Sequence, residues 1–368
     1  MNILLITQAT TVKRTWGITK VIIDASEAMT LAGATCECFP SQPVHASDYE
    51  TSLRAHLEST RGTYDVIEIP DTLALDLNPH RYAKCVVVRS VLLPLHRQSI
   101  HFRTRPTTLR SRIRHALMRR QIEQSEALRI EQEIATVRRR LAEADLVNVA
   151  NSRDREVLIR DGINPEKIRV LPYGLNDSRR VQLEAIPRSR TDSDRAHLVF
   201  VGTFDFRKGC LDIVEVFRGY ARHHPSAELH LLGTRGLMTS PQQVLGFFPR
   251  SLRSRIKVVE SFSEEELPGL LAQADVGLFP SYWEGFGISV VEQLAAGIPV
   301  VAYDAPGPCD ILPAEWLVPA GDVQGMTERL LKLAGERDPE RARAQAKHFR
   351  WEAIGEQTVA TYARAMHP

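Results

Sequence analysis

Short, nearly uninterrupted apolar runs alternate along the chain with longer stretches in which apolar residues recur every three or four positions. NILLIT (2–7) leads into ITKVIIDASEAMTLAG (18–33), where Ile18, Val21, Ile22, Ala25 and Met29 fall at helical spacing and Gly33 closes the pattern. This is a strand followed by a helix. ATCECF, DVIEIP, CVVVR, LVNVA and IRVLPYG (168–174) supply further strands of a first series. Residues 175–196 are polar, Arg-rich and poor in periodicity, and read as an interdomain linker. A second series follows in HLVFVG (197–202), AELHLLG (227–233), RIKVVE (255–260), ADVGLFP (274–280) and IPVVAYD (298–304). Strands this free of polar interruption are buried on both faces, as in parallel sheets covered by crossover helices. The expected architecture is α/β, with two Rossmann-like doubly wound domains facing across a cleft and ligands at the strands' carboxyl ends. The expected boundaries are 1–173 for the first domain, 174–348 for the linker and second domain, and 349–368 for a last amphipathic helix from Trp351 to Met366.

Composition agrees with two soluble cores: 368 residues, 43% hydrophobic and 25% charged. A net charge of +2 gives no global field that would favour nucleic acid. The amino terminus lacks a charged region and a long apolar core, and no stretch nears the roughly 20 apolar residues of a membrane span. The expected location is therefore cytoplasmic. One region qualifies this: 97–140 holds twelve arginines against four acids, with Leu109, Ile113, Leu117 and Ile122 at roughly helical spacing. It reads as either a solvated helix or a basic face for an anionic membrane surface. Cys36 and Cys38 share one face of a strand in no usual zinc spacing and are expected to be buried small residues. Asp192-Ser193-Asp194 falls in the linker and is not read as a metal site, so no metal is expected.

The chemistry concentrates in SYWEGFGISVVEQLAAGIPVV (281–301). A buried strand ends at Pro280, Glu284-Gly285-Phe286-Gly287 form the loop, and a helix runs from Ile288 to Ala296. Helix-start amides beside glycines suit a diphosphate. Glu292 lies more than one turn into the helix, but Cα–Cβ bonds lean toward the helix amino terminus, so its carboxylate tilts back to the loop. Two acids flanking an anion site accept hydrogen bonds from hydroxyl groups on either side of the phosphates. A nucleotide-sugar has that layout. In FVGTFDFRKGCLDI (200–213), Arg207 and Lys208 precede a helix entry, where two cations can neutralise a departing diphosphate without a metal.

These residues resemble glycosyltransferase family 4, retaining enzymes of the GT-B fold marked by two glutamates separated by seven residues, as Glu284 and Glu292 are here. VGTFDFRKG, HLLG ending at Gly233, FPSYWEGFG, AAGIPVVA, Gly321-Asp322 and ADLVNVANS extend the likeness over nearly the whole chain. The resemblance implies that Glu284 meets the donor sugar, Glu292 the ribose, and Arg207 and Lys208 the phosphates. It also implies donor contacts from Gly202, Thr203, Gly285, Phe286, Gly287 and Ile288, with Gly17 approaching the diphosphate from the first domain and Phe262 flanking the base. The last helix is implied to cross back to the first domain. Three positions depart from the pattern. Thr203 stands where many relatives have Arg, Trp16-Gly17 replaces a Gly-Gly pair, and Val91 stands where many have a catalytic-region His, with His96 and His101 nearby.

The expected function is transfer of a sugar from a nucleotide diphosphate donor, UDP before GDP, to an unidentified acceptor hydroxyl in glycan, glycolipid or glycosylated-metabolite synthesis. No further cofactor is expected. The alternatives are a non-catalytic binding or partner protein on the same fold, favoured by Val91, and a sugar-nucleotide epimerase.

Overall fold

The protein is described here by a computed structural model covering residues 1–10, 17–101, 128–188, 197–336 and 338–366. It divides into two compact units: the described parts of Met1–Ser99, Thr104–Tyr173 and Trp351–Pro368 form the first, and the described parts of Ile100–Arg103 and Gly174–Arg350 the second.

The first unit holds six parallel strands: β1 (Asn2–Ile6), β2 (Thr35–Phe39), β3 (Val66–Pro70), β4 (Cys85–Arg89), β5 (Leu146–Val149) and β6 (Ile168–Val170). Their spatial order is β2-β1-β3-β4-β5-β6. Helices α1 (Gly17–Leu31), α2 (Tyr49–Ser59), α3 (residues 128–143) and α4 (Ser152–Arg160) connect them. The central strands β3 and β4 are buried along nearly their whole length, which is why they read as continuous apolar runs.

The second unit repeats the plan with β7 (Leu198–Val201), β8 (Leu229–Leu232), β9 (Ile256–Val259), β10 (Val276–Phe279), β11 (Val300–Tyr303) and β12 (Leu317–Val318). Their order is β12-β11-β10-β7-β8-β9. The chain runs outward from β7 to β9, then returns to the other side of β7 as β10. Its helices are α5 (Asp177–Glu184), α6 (Cys210–His223), α7 (Pro241–Leu245), α8 (Leu267–Leu271), α9 (Ile288–Ala295), α10 (Val323–Glu336) and α11 (Pro339–Ala346).

The last helix, α12 (Trp351–Met366), belongs to the first unit. It packs against α1 so closely that a Cβ on Gly355 would stand 2.4 Å from the Ala28 carbonyl oxygen. Its buried Tyr362 hydroxyl donates to Glu68, and Glu68 pairs at 2.7 Å with the buried Arg89 of β4. Neither charge is left unpaired in the core, where an isolated one would be costly.

Three expectations are corrected. Part of the supposed linker is α5, whose amino end is capped by Asn176 accepting from the Arg179 amide at 2.9 Å. Cys36 and Cys38 are only half-buried, because β2 is an edge strand, whereas Cys85 and Cys210 are buried. Arg140 does not belong to an exposed basic face. It is 1% exposed and donates to the carbonyls of Leu73, Leu75 and Leu77 and to Glu143. Arg97 and Arg138 are also engaged, with Glu133 and Asp161. Residues 102–127 of that basic region, with Arg110, Arg112, Arg114 and Arg119, lie outside the described residues, as do Trp16 and 192–194. No helix of the described residues is long and apolar enough to cross a membrane.

Near the carboxyl ends of β3 and β4, Asp71 is buried and accepts from the Ser90 hydroxyl at 2.6 Å. Burial, with the nearby carboxylates of Asp154 and Glu133, pushes its pKa from 3.8 up to about 7. A raised folded-state pKa contributes stability that is complete below the unfolded value and disappears as pH rises through the folded one. Asp71→Asn, which can still accept from Ser90, is therefore expected to flatten the stability–pH curve between about 4 and 7 and to raise stability at pH 8. Urea unfolding across that range checks this. An unchanged curve would show that Asp71 is ionised throughout.

Candidate active site

In the second unit, the order of strand addition reverses between β7 and β10, which lie side by side and parallel. Two loops leave the carboxyl ends of these strands, the place where doubly wound sheets bind ligands. One runs from Gly202 to Gly209 and enters α6; the other runs from Pro280 to Gly287 and enters α9. The Tyr282 amide donates to the Arg207 carbonyl at 3.0 Å. Gly209, at φ +71, lies so close to the second loop that a Cβ would meet the Pro280 carbonyl oxygen at 2.2 Å. Only glycine fits there.

The two loops bring Arg207, Lys208 and Glu284 together. Glu284, 8% exposed, has Lys208 Nζ at 2.7 Å and Arg207 Nη1 at 3.1 Å from its Oε1. Burial pushes the Glu284 carboxyl up, but Lys208 and then Arg207 outweigh it and hold the pKa below the usual glutamate value. The sequence assigned the cations to phosphates and the acid to hydroxyls; in the structure they pair with one another. Arg207 also donates to the Trp283 carbonyl. Lys208 runs past Gly202, where an added Cβ would sit 3.6 Å from Nζ, and lies over the Phe279 ring at 5.5 Å.

The second glutamate has a separate cation. Glu292, 7% exposed on α9, pairs with Arg179 of α5 at 3.3 Å, and Arg179 also donates to the Glu264 carbonyl. Arg179 is a site residue that sequence reading missed because it lay in the supposed linker. Its signal was present: Asn176, three residues earlier, is a good helix cap, and Leu183 supplies a buried position.

Asp205 was missed as well. Its carboxylate accepts from the Thr203 hydroxyl at 2.6 Å and the Lys208 amide at 3.0 Å, fixing the loop that presents Lys208. Beneath the second loop, the buried Asp212 of α6 accepts from the hydroxyls of Tyr282 at 2.6 Å and Tyr303 at 3.1 Å.

The remaining expected residues fall as follows. Gly285 lies in the second loop, Gly287 is the left-handed cap of α9 at φ 111, and Ile288 opens that helix. Phe286 is buried edge-on against Phe349 rather than open to a ligand. Phe262 is half-buried, its ring 3.1 Å from where a Cβ on Gly233 would stand. Gly17 is the first residue of α1 in the other unit. Val91 is half-buried after β4. His96 is buried, with Nε2 2.7 Å from the carboxylate of Asp154, whereas His101 is exposed.

Residues 195–336 match the family model described as Glycosyl transferases group 1. The matched span includes Arg207, Lys208, Glu284 and Glu292. The match takes in the second unit from β7 to α10. It is 26% identical over 237 residues to an MMP alpha-(1->4)-mannosyltransferase of Mycolicibacterium hassiacum, the match covering 60% of this chain and 54% of that one. The chain thus spans little more than half the length of that curated relative. Among solved structures, it resembles sucrose-phosphate synthase from Thermosynechococcus elongatus with TM-score 0.70 and 20% identity, covering 99% of this chain and 98% of that one. It also resembles the Anabaena HepE protein in complex with UDP and glucose, with TM-score 0.65, 17% identity and coverage of 98% and 99%. Both likenesses extend over the two units of the fold.

Proposed function

We propose that the chain transfers a sugar from a nucleotide diphosphate donor to an acceptor hydroxyl with retention of anomeric configuration, and that UDP is preferred to GDP. The observation that carries this reading is the Arg207–Lys208–Glu284 cluster at the β7/β10 switch point, inside the matched family span. A leaving diphosphate gains negative charge as the glycosidic bond breaks. Fixed cations and helix-start amides stabilise that charge more in the transition state than in the bound donor, which is what lowers a barrier. When the donor enters, Lys208 and Arg207 exchange part of their pairing with Glu284 for the phosphates. Glu284 is then available to accept from a sugar hydroxyl. Glu292, held by Arg179, accepts from the ribose. In a retaining transfer the acceptor attacks from the face the leaving group departs, and the leaving phosphate takes the acceptor proton. The likeness to a UDP-bound structure supports the choice of base, and a relative named as a mannosyltransferase keeps a mannosyl donor among those to be tried.

Calorimetry with UDP, GDP and the matching nucleotide-sugars tests the assignment. Glu292→Gln is expected to weaken binding of both the nucleoside diphosphate and the nucleotide-sugar, because both contain the ribose. Glu284→Gln is expected to leave nucleoside diphosphate affinity nearly unchanged while lowering transfer. Equal loss of nucleotide affinity in the two variants would reverse the ends of the donor. Tight nucleotide binding with no donor hydrolysis or transfer would favour a non-catalytic binding protein.

A further inference from the structure

At the opposite, amino-terminal edge of the second unit's sheet, a second polar cluster has no part in that chemistry. His197 immediately precedes β7, and Glu228 and His230 sit at the start of β8. The parallel register pairs Leu198 with Leu229 and Val199 with His230, so His197 stands beside Glu228. Side chains two apart on a strand share a face, which places Glu228 and His230 on one side of the sheet. The imidazoles are 8% and 4% exposed and lie with centroids 5.6 Å apart, tilted by 30°. Between them, Glu228 Oε2 is 3.4 Å from His230 Nε2 and 3.8 Å from His197 Nδ1.

We propose that His197, Glu228 and His230 form a binding site for a divalent transition-metal ion of the zinc class. Two imidazoles and one carboxylate are a zinc-type donor set. Bonds of about 2.0–2.1 Å to a tetrahedral ion put neighbouring ligand atoms roughly 3.3 Å apart. The carboxylate distances need to change by only a few tenths of an ångström to meet that, and all three ligand atoms lie within 4.8 Å of one another. The backbone is already fixed. The His197 amide donates to Asp275 at 2.8 Å, its carbonyl accepts from the Asp275 amide at 2.9 Å, and β8 is paired on both sides. Glu228, whose side chain is 33% exposed, provides the way in and leaves a fourth position for water.

One residue competes with the ion. Lys257 of β9 places Nζ 2.9 Å from Glu228 Oε2, on the oxygen that faces both imidazoles. Its side chain is 56% exposed, so it can swing into solvent. Metal binding and the Lys257–Glu228 pair therefore exclude each other. The bound ion ties β7 to β8 and stabilises the second unit without touching the donor loops at the strands' other ends.

The test is a titration of the untagged full chain, stripped with EDTA and dialysed, with cobalt(II) followed by visible absorption and zinc(II) followed by competition and thermal unfolding. The expected result is one tetrahedral cobalt per chain, displaced by zinc, with zinc raising the midpoint of unfolding. Glu228→Gln, half-exposed and safe for folding, should weaken binding by at least about tenfold, as losses around metal sites do. Lys257→Met should tighten it, a gain that misfolding cannot imitate. The proposal is overturned by the absence of saturable binding, by equal affinity in wild type and both variants, or by a sulfur-to-cobalt charge-transfer band, which would put the ion on cysteines.

Discussion

Lys208→Ala is expected to lower turnover by roughly 10²–10³-fold, the usual effect of removing one preorganised donor from a developing anion. Under the proposed function this substitution has two consequences. It removes a cation from the departing diphosphate, and it removes the nearer of the two cations that hold Glu284 ionised, at 2.7 Å against 3.1 Å for Arg207. Burial then pushes the Glu284 carboxyl up against Arg207 alone. A lowered folded-state pKa keeps the carboxylate charged until pH falls through it, so the acid limb of the turnover profile should move to higher pH in the variant. Lys208→Met, which keeps the stem beside Phe279, separates lost charge from lost packing. Both variants should behave alike, and EDTA should leave wild-type transfer intact. Turnover within about threefold of wild type in Lys208→Ala would refute the assignment, because one oxyanion-type donor is ordinarily worth far more.

Gly307→Ala is expected to disable transfer while the chain stays folded. Gly307, at φ +95, lies under the glutamate loop, and an added Cβ would stand 2.3 Å from the Phe286 carbonyl oxygen and 3.1 Å from Glu284 Cβ. Backbone cannot yield as a flexible side chain does, so the loop carrying Glu284 must shift. A displacement of about 1 Å at a reacting centre can cost on the order of 10² in rate. The strained backbone adds about 1–3 kcal/mol of destabilisation. Gly335→Ala is the matched control: it is exposed on α10 with nothing within 4 Å of its Cβ, and the same substitution there should stabilise by up to about 1 kcal/mol. Steady-state kinetics with thermal unfolding distinguishes the two. Wild-type kcat/KM in Gly307→Ala would show that the loop tolerates the shift and that Glu284 does not depend on its position.

The elements easiest to read from sequence were those whose environment is uniform. Strands such as β4, CVVVR, are buried on both faces, so their residue types alone distinguish them from helices of mixed polarity. β12 went unread because two residues, Leu317 and Val318, cannot establish a period. α5 went unread because DSRRVQLE offers only two apolar positions, one of them Val181 at 56% exposure. Its helix is secured by a cap and by packing against α9, which a local pattern does not show.

By itself, the sequence determined the two α/β series, the glycine-rich turns, and the identity of Glu284, Glu292, Arg207 and Lys208 as charges gathered at helix entries. These follow from local physics: periodicity, helix-end amides and the conformational freedom of glycine. Only the tertiary structure decided which charge meets which. Arg207 and Lys208 turn to Glu284, whereas Glu292 takes Arg179, 113 residues away in the chain. The arginines read as one basic region include Arg140, whose donors are absorbed by buried carbonyls more than 60 residues distant. His197 is joined to Glu228 and His230 by strand register alone. A charge has no period and no preferred neighbour in sequence; its partner is set by the strand order and loop approach that bring distant segments together.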